Sequence, residues 1–504
     1  MQLISNPQIK TRGDGDDDGS PESVYSGGMS LLPTSVRTLL TQAPARWDEK
    51  HNQSEFAGKL IEIPREKDFN TLADILRDGN PALAQGSDLD RGLLKQASEI
   101  AGLGQGTIVV SSDGSSHSAN PVADKLLTAA GGDRLAVHDL LYGTNMDCTV
   151  TEGHYDAQSH VANLLNHSWN GHDDGIAKVI ETAGHDATSA DPTVNRQSGE
   201  ASWALANYVS THSNELLHLG GTDQSIGMLD PKMTKALGST LGAYIPDMVG
   251  THEGTFGTHG FGAIDQAHVK DIFAVIDSNK DAARDFNRAA YASVTQMNQL
   301  IGSADANPYK LGEFAGRIDG AAQAGAKLEV EGRIADAKQQ LEEQKLIFDS
   351  VKDLAPFGGK HIPRLLGLSD AKWAGFTVSD FTELGTKMGT PGVKEWMFGS
   401  APDIQPNVDI KGDSSAPKRY YNILEGLTIT NDHPDYSKDP VIGKYFDGNG
   451  KLMSFDAIKA MDGRNGQTSL VDFGGDMMTK FKDSLLPYNA GWQDGHDESG
   501  FHPR

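Results

Sequence analysis

The sequence has one cysteine, Cys148, and few basic residues. A single cysteine cannot form an internal disulfide, so a disulfide-stabilised fold is excluded. Lys and Arg total 44 against 69 Asp and Glu, which gives a formal net charge of −25. Because nucleic acids and anionic membranes are bound through clustered cations, we expect neither as a partner. The acidity fits a soluble chain or a basic protein partner.

Long apolar segments are also missing. No run is long enough to cross a bilayer, and the first residues, MQLISNPQIKTRGDGDDDG, have no apolar core of a signal peptide. We therefore expect no membrane insertion. The location is expected to be cytoplasmic, or exported without a classical signal peptide.

Helix-forming residues dominate a long segment near the middle of the chain. Residues 309–354 contain no proline, and Ala, Gln, Glu, Lys and Leu are abundant in the second half. This segment is predicted to be one long helix or two stacked helices. Gly312, Gly316 and Gly320 recur every four residues, and such a row of small residues predicts close approach by another helix.

Helix start signals recur before this segment. Ser87 lies three residues before Asp90, as in a capping box. Asp230 precedes Pro231, which indicates a helix with Asp as N-cap and Pro at its first position. One strand-like run, GTIVVSSDG from Gly106, stands alone. A short extended segment is also indicated in KLIEIPRE.

These signals predict a mostly α protein. The expected fold is an array of paired helices around the long Gly/Ala-rich helix, with a small loop-rich α+β C-terminal region. We expect an acidic flexible N-terminus over residues 1–28 and a helical domain over 29–355. A Pro/Gly-rich connection over 356–417 and a small region over 418–504 with a disordered tail follow.

A metal site is indicated most clearly by the run YFDGNGKLMSFD. Asp447, Asn449 and Asp456 fit ligand positions of an EF-hand calcium loop, and Gly450 fits its turn. Tyr445 stands where the first carboxylate ligand belongs, so the loop is degenerate. A plain turn is the alternative, and we expect no cofactor other than possible calcium here.

Histidines concentrate in one third of the chain, without a zinc motif such as HExxH. His160 and His167 are two helical turns apart. His252, Glu253 and His259 form the best local metal candidate, although their glycine-rich run is more typical of a mobile loop. The favoured alternative is that these histidines, including His160 and His167, occupy surfaces and helix caps.

Catalytic motifs have little support. Cys148 lies six residues before His154, but this spacing does not establish a catalytic pair. No GxSxG motif or phosphate-binding loop occurs. A non-enzymatic protein is therefore favoured.

Several runs resemble the "TPR repeat region" proteins of mycobacteria and related actinobacteria. The resemblance covers about residues 25–350 and is carried by the runs SLLPTSVRTLL, SDLDRGLLKQASEIAG, HVANLLNHSWNGHDDGIAKVIETAGHDATS, ALGSTLGAYIPDMVG, IFAVIDSNKDAARDFNRAAY and AGRIDGAAQAGAKLEVE. Those proteins are large and helical, and some are associated with type VII secretion through an N-terminal WxG-type helical domain. The resemblance implies a TPR-like helical domain and no catalytic residues.

Short secretion-type patterns occur as well. Trp169-Asn170-Gly171 and residues 373–375 match WxG, and residues 309–313 and 421–425 match YxxxE. The chain departs from longer relatives because no helical hairpin is indicated before residue 25. Neither pair has the expected order of hairpin and tail.

Three functions follow as hypotheses. The first is a helical interaction or scaffold protein with a protein partner, possible secretion association and an undetermined oligomeric state. The second is a secreted effector or toxin-like protein with its activity after residue 356, where Pro, Gly and aromatic residues increase. The third is a calcium-responsive envelope protein.

Overall fold

The structure, a computed structural model, describes residues 2–7, 10–12, 24–47, 60–79, 85–104, 107–110, 116–222, 224–301, 306–332, 416–429, 434–463 and 468–499. Most of them lie in helices, which confirms the mostly α fold. Contacts divide the chain into two compact units, Met1–Leu241 with His259–Gly262 and Gly242–Thr258 with Ala263–Arg504. This division falls inside the predicted helical domain 29–355, whose boundaries stay a prediction.

The first unit contains most of the elements. Its helices are α1 (Gln2–Ser5), α2 (Thr34–Thr41), α3 (Glu66–Arg77), α4 (Asp88–Ala101), α5 (Asn120–Ala130), α6 (Arg134–Tyr142), α7 (Ala157–Leu165), α8 (Asp174–Gly184), α9 (Pro192–Thr211), α10 (Ser213–Leu217), α11 (Ile226–Leu229) and α12 (Pro231–Gly242). Its strands are β1 (Lys10–Arg12), β2 (Val24–Ser26), β3 (Arg46–Trp47), β4 (Leu60–Glu62), β5 (Ile108–Val110) and β6 (Ser116–Ser118). Short 3₁₀ turns lie at Met29–Leu31, Asp147–Thr149 and Leu219–Gly221.

The second unit is helical in its described part. Its helices are α13 (Ile245–Met248), α14 (Gln266–Asp277), α15 (Lys280–Leu300), α16 (Pro308–Gly332), α17 (Ala416–Ile429), α18 (Phe455–Lys459), α19 (Ser469–Lys480) and α20 (Lys482–Glu498). Turns of 3₁₀ helix lie at Tyr436–Lys438 and Gly443–Tyr445. The first half of the predicted long helix is α16, while residues 333–354 and 356–415 lie outside the described residues.

The strand-like run at residues 106–114 does not stand alone, contrary to expectation. Its strand β5 pairs in parallel with β4, the predicted extended segment, and antiparallel with β6. Ile61 of β4 lies opposite Val109 of β5, and both are buried. A parallel partner lies far away in sequence, so the local pattern cannot reveal it.

The helices of the first unit pack as a connected series. Helix α4 contacts α5, α6 and α7, and α9 contacts α6, α7 and α8. Leu93 and Leu94 of α4 and Val179 of α8 are fully buried. Burial of this apolar surface, at about 25 cal/mol per Å², is the main force holding the helices together.

Helix α4 begins at the predicted cap. The Oγ of Ser87 accepts the amide N–H of Asp90 at 3.1 Å. The reciprocal bond of a capping box is made by another residue, because the amide of Ser87 donates to Asp133 at 3.0 Å. Burial, and then the nearby carboxylate of Asp133, raise the pKa of Asp90 well above its usual range. The protonated form of Asp90 is therefore favoured by its surroundings.

Helix α12 begins at Pro231 as predicted, but its cap is different. The side chain of Asp230 accepts the amide N–H of Trp169 at 2.8 Å. The amide of Lys232, in the first turn of α12, instead donates to Asp173 at 2.8 Å. Asp173 immediately precedes α8, so one carboxylate couples the starts of two helices.

In the second unit, helices α16 and α20 run side by side in the same direction at very short separation. A Cβ atom on Gly316 would lie 2.1 Å from the carbonyl oxygen of Trp492, and one on Gly495 would lie 2.0 Å from that of Glu313. The same kind of contact involves Gly312 and Gly491. No real Cβ atom approaches so closely, so the predicted close helix approach is confirmed.

The polar end of the chain differs from the expected disordered tail. Helix α20 continues to Glu498, and residues 500–504 lie outside the described residues. The carboxylate of Glu498 pairs with Arg317 at 2.6 Å, and Asp494 accepts the hydroxyl of Tyr309 at 2.7 Å. The partners of these polar residues lie on α16, far away in the sequence. The local composition therefore could not reveal the contacts and indicated disorder instead.

Replacement of Gly316 by Ala should destabilise the second unit. Alanine favours a helix by about 1 kcal/mol over glycine, but the added methyl must push α16 and α20 apart. We expect a net loss of roughly 1–3 kcal/mol in the free energy of unfolding, measured by urea unfolding followed by circular dichroism.

The matched control is Gly474→Ala in α19, where a Cβ would meet nothing within 4 Å. This variant should be as stable as the parent protein or more stable. Equal stabilisation by both substitutions would contradict the packing described for α16 and α20.

Asp230 should make stability depend on pH. Burial raises the pKa of Asp230 to about 7, whereas an unfolded Asp titrates near about 4. The folded chain therefore keeps a proton that the unfolded chain loses, and stability falls by up to about 1.4 kcal/mol per pH unit between these values. This contribution is complete below about pH 4 and is lost as the pH rises through about 7.

Asp230→Asn, which retains an oxygen for the Trp169 amide, should reduce the fall of the urea unfolding free energy between about pH 4 and about pH 7. A smaller slope should remain, because burial also raises the pKa of Asp247 to about 7. The exposed Asp78, replaced by Asn, is the control and should leave the slope unchanged. An Asp230→Asn slope equal to that of the parent protein would show that this carboxyl is not the titrating group.

Candidate functional site

A buried ion network joins α4 to α6 in the first unit. Arg91 Nη1 lies 2.9 Å from Asp88 Oδ1, one helical turn earlier on α4, and Arg91 Nη2 lies 2.6 Å from Asp139 Oδ2 on α6. The side chains of Arg91 and Asp139 are only 4% and 3% exposed. Buried charges of this kind persist only when each is paired. The network thus fixes α4 and α6 in one arrangement.

Both carboxylates have further partners. Asp88 Oδ2 accepts the amide N–H of Met29 at 2.6 Å, which attaches the N-terminal segment to α4. Asp139 Oδ1 accepts hydrogen bonds from the Thr144 hydroxyl and the Asn145 amide group. Burial alone would raise the pKa of Asp139, but hydrogen bonds from neighbouring side chains and the Arg91 charge lower it below the usual value. Asp139 is consequently ionised.

His138 extends the network to α9. Its Nδ1 lies 3.2 Å from Asp139 Oδ1, and its Nε2 lies 2.9 Å from Glu200 Oε2. A neutral imidazole has a proton on one nitrogen only, whereas the imidazolium has one on each. Both nitrogens face carboxylate oxygens, and a hydrogen bond to either one fixes the orientation of the ring. His138 therefore joins α6 to α9 through its contact with Glu200, while Asp139 orients the ring within α6.

Contacts between α6 and α9 form three layers. Arg134 Nη1 donates to Gln197 Oε1 at 2.6 Å, and the His138–Glu200 pair lies one turn further on. Tyr142 and Trp203 form the last layer, with ring centroids 6.3 Å apart and planes at 70°. The numbering rises together on both helices, so α6 and α9 run in the same direction.

The last layer reaches the surface. Tyr142 is 41% exposed. Trp203 is half-buried. Exposed aromatic side chains held by a rigid support are the typical centres of protein-binding surfaces. We call Tyr142, Trp203 and Glu200 the α6–α9 surface.

His160 and His167 are both buried, and each contacts different residues. His160 contacts the hydroxyl of Ser98 and stacks on Tyr155 at 4.4 Å, whereas His167 Nε2 lies 2.9 Å from Asn120 Oδ1. Burial lowers the pKa of each histidine to about 4, so both are neutral. Where surface and cap positions were expected, these two histidines are core residues.

Among the described residues, no group of three or more His, Cys, Asp or Glu side chains could hold a metal ion. In the predicted loop, Asp447 Oδ1 accepts the amides of Asn449 and Lys451 at 2.9 and 3.0 Å. Asp456 lies in the first turn of α18. Tyr445 is buried, and its hydroxyl donates to Asp476 at 2.7 Å. Calcium binding here stays a prediction.

The remaining sequence candidates have local contacts. His252 and Glu253 are exposed, and His252 Nδ1 lies 3.0 Å from the carbonyl oxygen of Glu253. His259 donates its amide N–H to Asn195 at 2.8 Å. Burial raises the pKa of Cys148 to about 12, so its thiol is protonated at neutral pH and is a poor nucleophile.

Sequence reasoning did not find the α6–α9 surface. His138 was one histidine among many in the sequence. Its partner Glu200 lies on α9, which follows α6 only after α7 and α8, so no local pattern indicates the pair. A local signal existed, because His138 and Tyr142 are four residues apart and would lie on the same face of a helix. None of the described helices is long and apolar enough to cross a membrane.

A family model described as a TPR repeat domain matches residues 1–182. These residues lie in the first unit and include the ion network of Asp88, Arg91 and Asp139. The matched part is less than half of the chain. No curated protein and no solved structure matches the chain. The match supports a TPR-repeat protein, as the sequence resemblance implied.

Arg91→Met should strongly destabilise the first unit. The substitution keeps most of the side-chain length but leaves Asp88 and Asp139 buried without a cation. We expect a loss of about 3–5 kcal/mol in the free energy of unfolding, measured by urea denaturation.

Lys232→Met is the matched control, because Lys232 is 54% exposed and pairs with the exposed Asp174. That variant should lose less than about 1 kcal/mol. Similar small losses in both variants would show that the buried network contributes nothing beyond a surface ion pair.

Proposed function

We propose that the chain is a protein-interaction protein, with a partner bound by the helical first unit. The match of residues 1–182 to a TPR repeat domain is the observation that carries this proposal. TPR repeats generally mediate protein–protein contacts, since stacked helix pairs create extended binding surfaces. The acidic composition favours a basic partner over nucleic acid.

The arrangement of charged groups agrees with a binding role. The buried Asp88–Arg91–Asp139 network and His138 hold α4, α6 and α9 together, and the same helices present the half-exposed Tyr142–Trp203 pair. Rigid support lowers the entropy that is lost when a surface binds its partner. In this proposal, Asp88, Arg91 and Asp139 hold the helices that carry Tyr142 and Trp203 in position.

Type VII secretion is the finer setting that we propose for this interaction. Its support is the resemblance of the sequence to actinobacterial proteins, some of which are associated with type VII secretion. Effector activity after residue 356 and calcium response stay predictions from sequence.

Co-purification with the tagged full chain tests the proposal. We expect a protein recovered in near-stoichiometric amount at physiological salt, with chemical cross-links that map to the first unit. A component of a type VII system among the recovered proteins would support the finer setting.

A reciprocal purification, with the tag on the recovered partner, is the control for non-specific capture. A monomeric particle without a partner would contradict the proposed function. Cross-links confined to residues 263–504 would contradict its assignment to the first unit.

A further inference from the structure

Cations are missing from two stretches that form neighbouring helices in the first unit. No Lys or Arg occurs from Leu135 to Ala177 or from Gln197 to Pro231. These stretches contain the acidic residues Asp139, Asp147, Glu152, Asp156, Asp173, Asp174, Glu200, Glu215, Asp223 and Asp230. They supply α7, almost all of α6 and most of α9, and these three helices contact one another.

The cations of α6 and α9 lie away from the α6–α9 surface. Arg134 begins α6 and Arg196 lies near the start of α9, while Tyr142 and Trp203 lie about two turns later on each helix. Asp147, Glu152 and Asp156 are all exposed in the segment that follows α6. The C-terminus of α6 adds the partial negative charge of its carbonyl groups.

Aromatic faces in an acidic setting recognise cations. A guanidinium or ammonium group is attracted to the face of a tyrosine or tryptophan ring, and Arg stacks best because it is planar. Glu200 binds His138 through Oε2, and its Oε1 has no hydrogen bond within the described chain. That oxygen is placed to accept a hydrogen bond from the same cation.

We propose, as a deepening of the proposed protein-binding function, that the α6–α9 surface binds a basic peptide segment through an Arg or Lys side chain on Tyr142. The positive charge of the occupant follows from complementarity, because Glu200 Oε1 accepts no hydrogen bond within the described chain and no Lys or Arg occurs in the stretches that supply α7 and most of α6 and α9. The Tyr142 ring, the half-buried Trp203 and the carboxylate of Glu200 form the three sides of this site. His138 holds the other oxygen of Glu200, Oε2, at 2.9 Å, and its ring lies 5.5 Å from that of Tyr142.

Peptide binding to the full chain, followed by fluorescence anisotropy, tests the inference. The probe is a short synthetic peptide of alternating Arg and Gly, compared with Lys–Gly and Glu–Gly peptides of equal length. We expect the Arg–Gly peptide to bind most tightly, the Lys–Gly peptide more weakly, and the Glu–Gly peptide not at all. Rising salt should weaken binding without abolishing it.

Substitutions distinguish binding at Tyr142 from attraction of the peptide by the overall negative charge of the chain. Tyr142→Ala should weaken Arg–Gly binding about fivefold to thirtyfold, while Tyr142→Phe retains a ring and should stay within about twofold. Ile75→Ala, which removes an exposed apolar side chain of α3 in the same unit, should bind like the parent protein. Unchanged melting temperatures would establish that all three variants are folded.

The outcomes discriminate between occupants. No binding of the Arg–Gly peptide, or equal loss in Tyr142→Ala and Ile75→Ala, would overturn the inference. Concentration-dependent self-association that Tyr142→Ala removes, without peptide binding, would also overturn it and identify a second copy as the occupant. A natural partner that still binds Tyr142→Ala would leave the proposed function intact while refuting this site.

Discussion

The guanidinium of Arg91, buried between Asp88 and Asp139, is the contact on which the arrangement of the first unit depends. It joins α4 to α6, and His138 passes the connection on to Glu200 of α9. A buried ion pair contributes little net stability compared with an apolar core of the same volume. Its value here is geometric, because alternative packings of these helices would leave a charge buried and unpaired. The position of Tyr142 beside Trp203 follows from that constraint.

The second unit is held by a different interaction, which depends on shape and not on charge. Glycines on α16 and α20 bring two backbones into direct contact, and dispersion forces between so many close atoms become substantial. Side chains at the edges, such as Arg317 with Glu498, add polar contacts to this seam. Each unit therefore has a constraint that tolerates few substitutions, and the helices around it are packed by ordinary apolar burial.

Local features of the fold were predictable from the sequence because their causes are local. The Ser87 cap, the helix start at Pro231 and the glycine row of α16 each need only a few neighbouring residues. The partners were not predictable, because Asp173 caps a helix that begins nearly sixty residues later and α20 packs on a helix far upstream. Composition misled at the chain end, where polar residues indicated disorder but Gly491 and Gly495 permit docking. For the candidate site, the acidic character and the absence of Lys and Arg from Leu135 to Ala177 can be read from the sequence. The packing of α6 against α9 could be learned only from the structure.

Hydrogen exchange of the full chain with and without the Arg–Gly peptide tests most directly whether the α6–α9 surface receives a partner. Exchange of amides reports local opening, which a bound ligand suppresses. The predicted result is slower exchange in the last turn of α6, in the segment that follows it and around Trp203, with α3 unchanged. Slower exchange spread evenly over the acidic helices, or confined to the second unit, would contradict the assignment of partner binding to this surface.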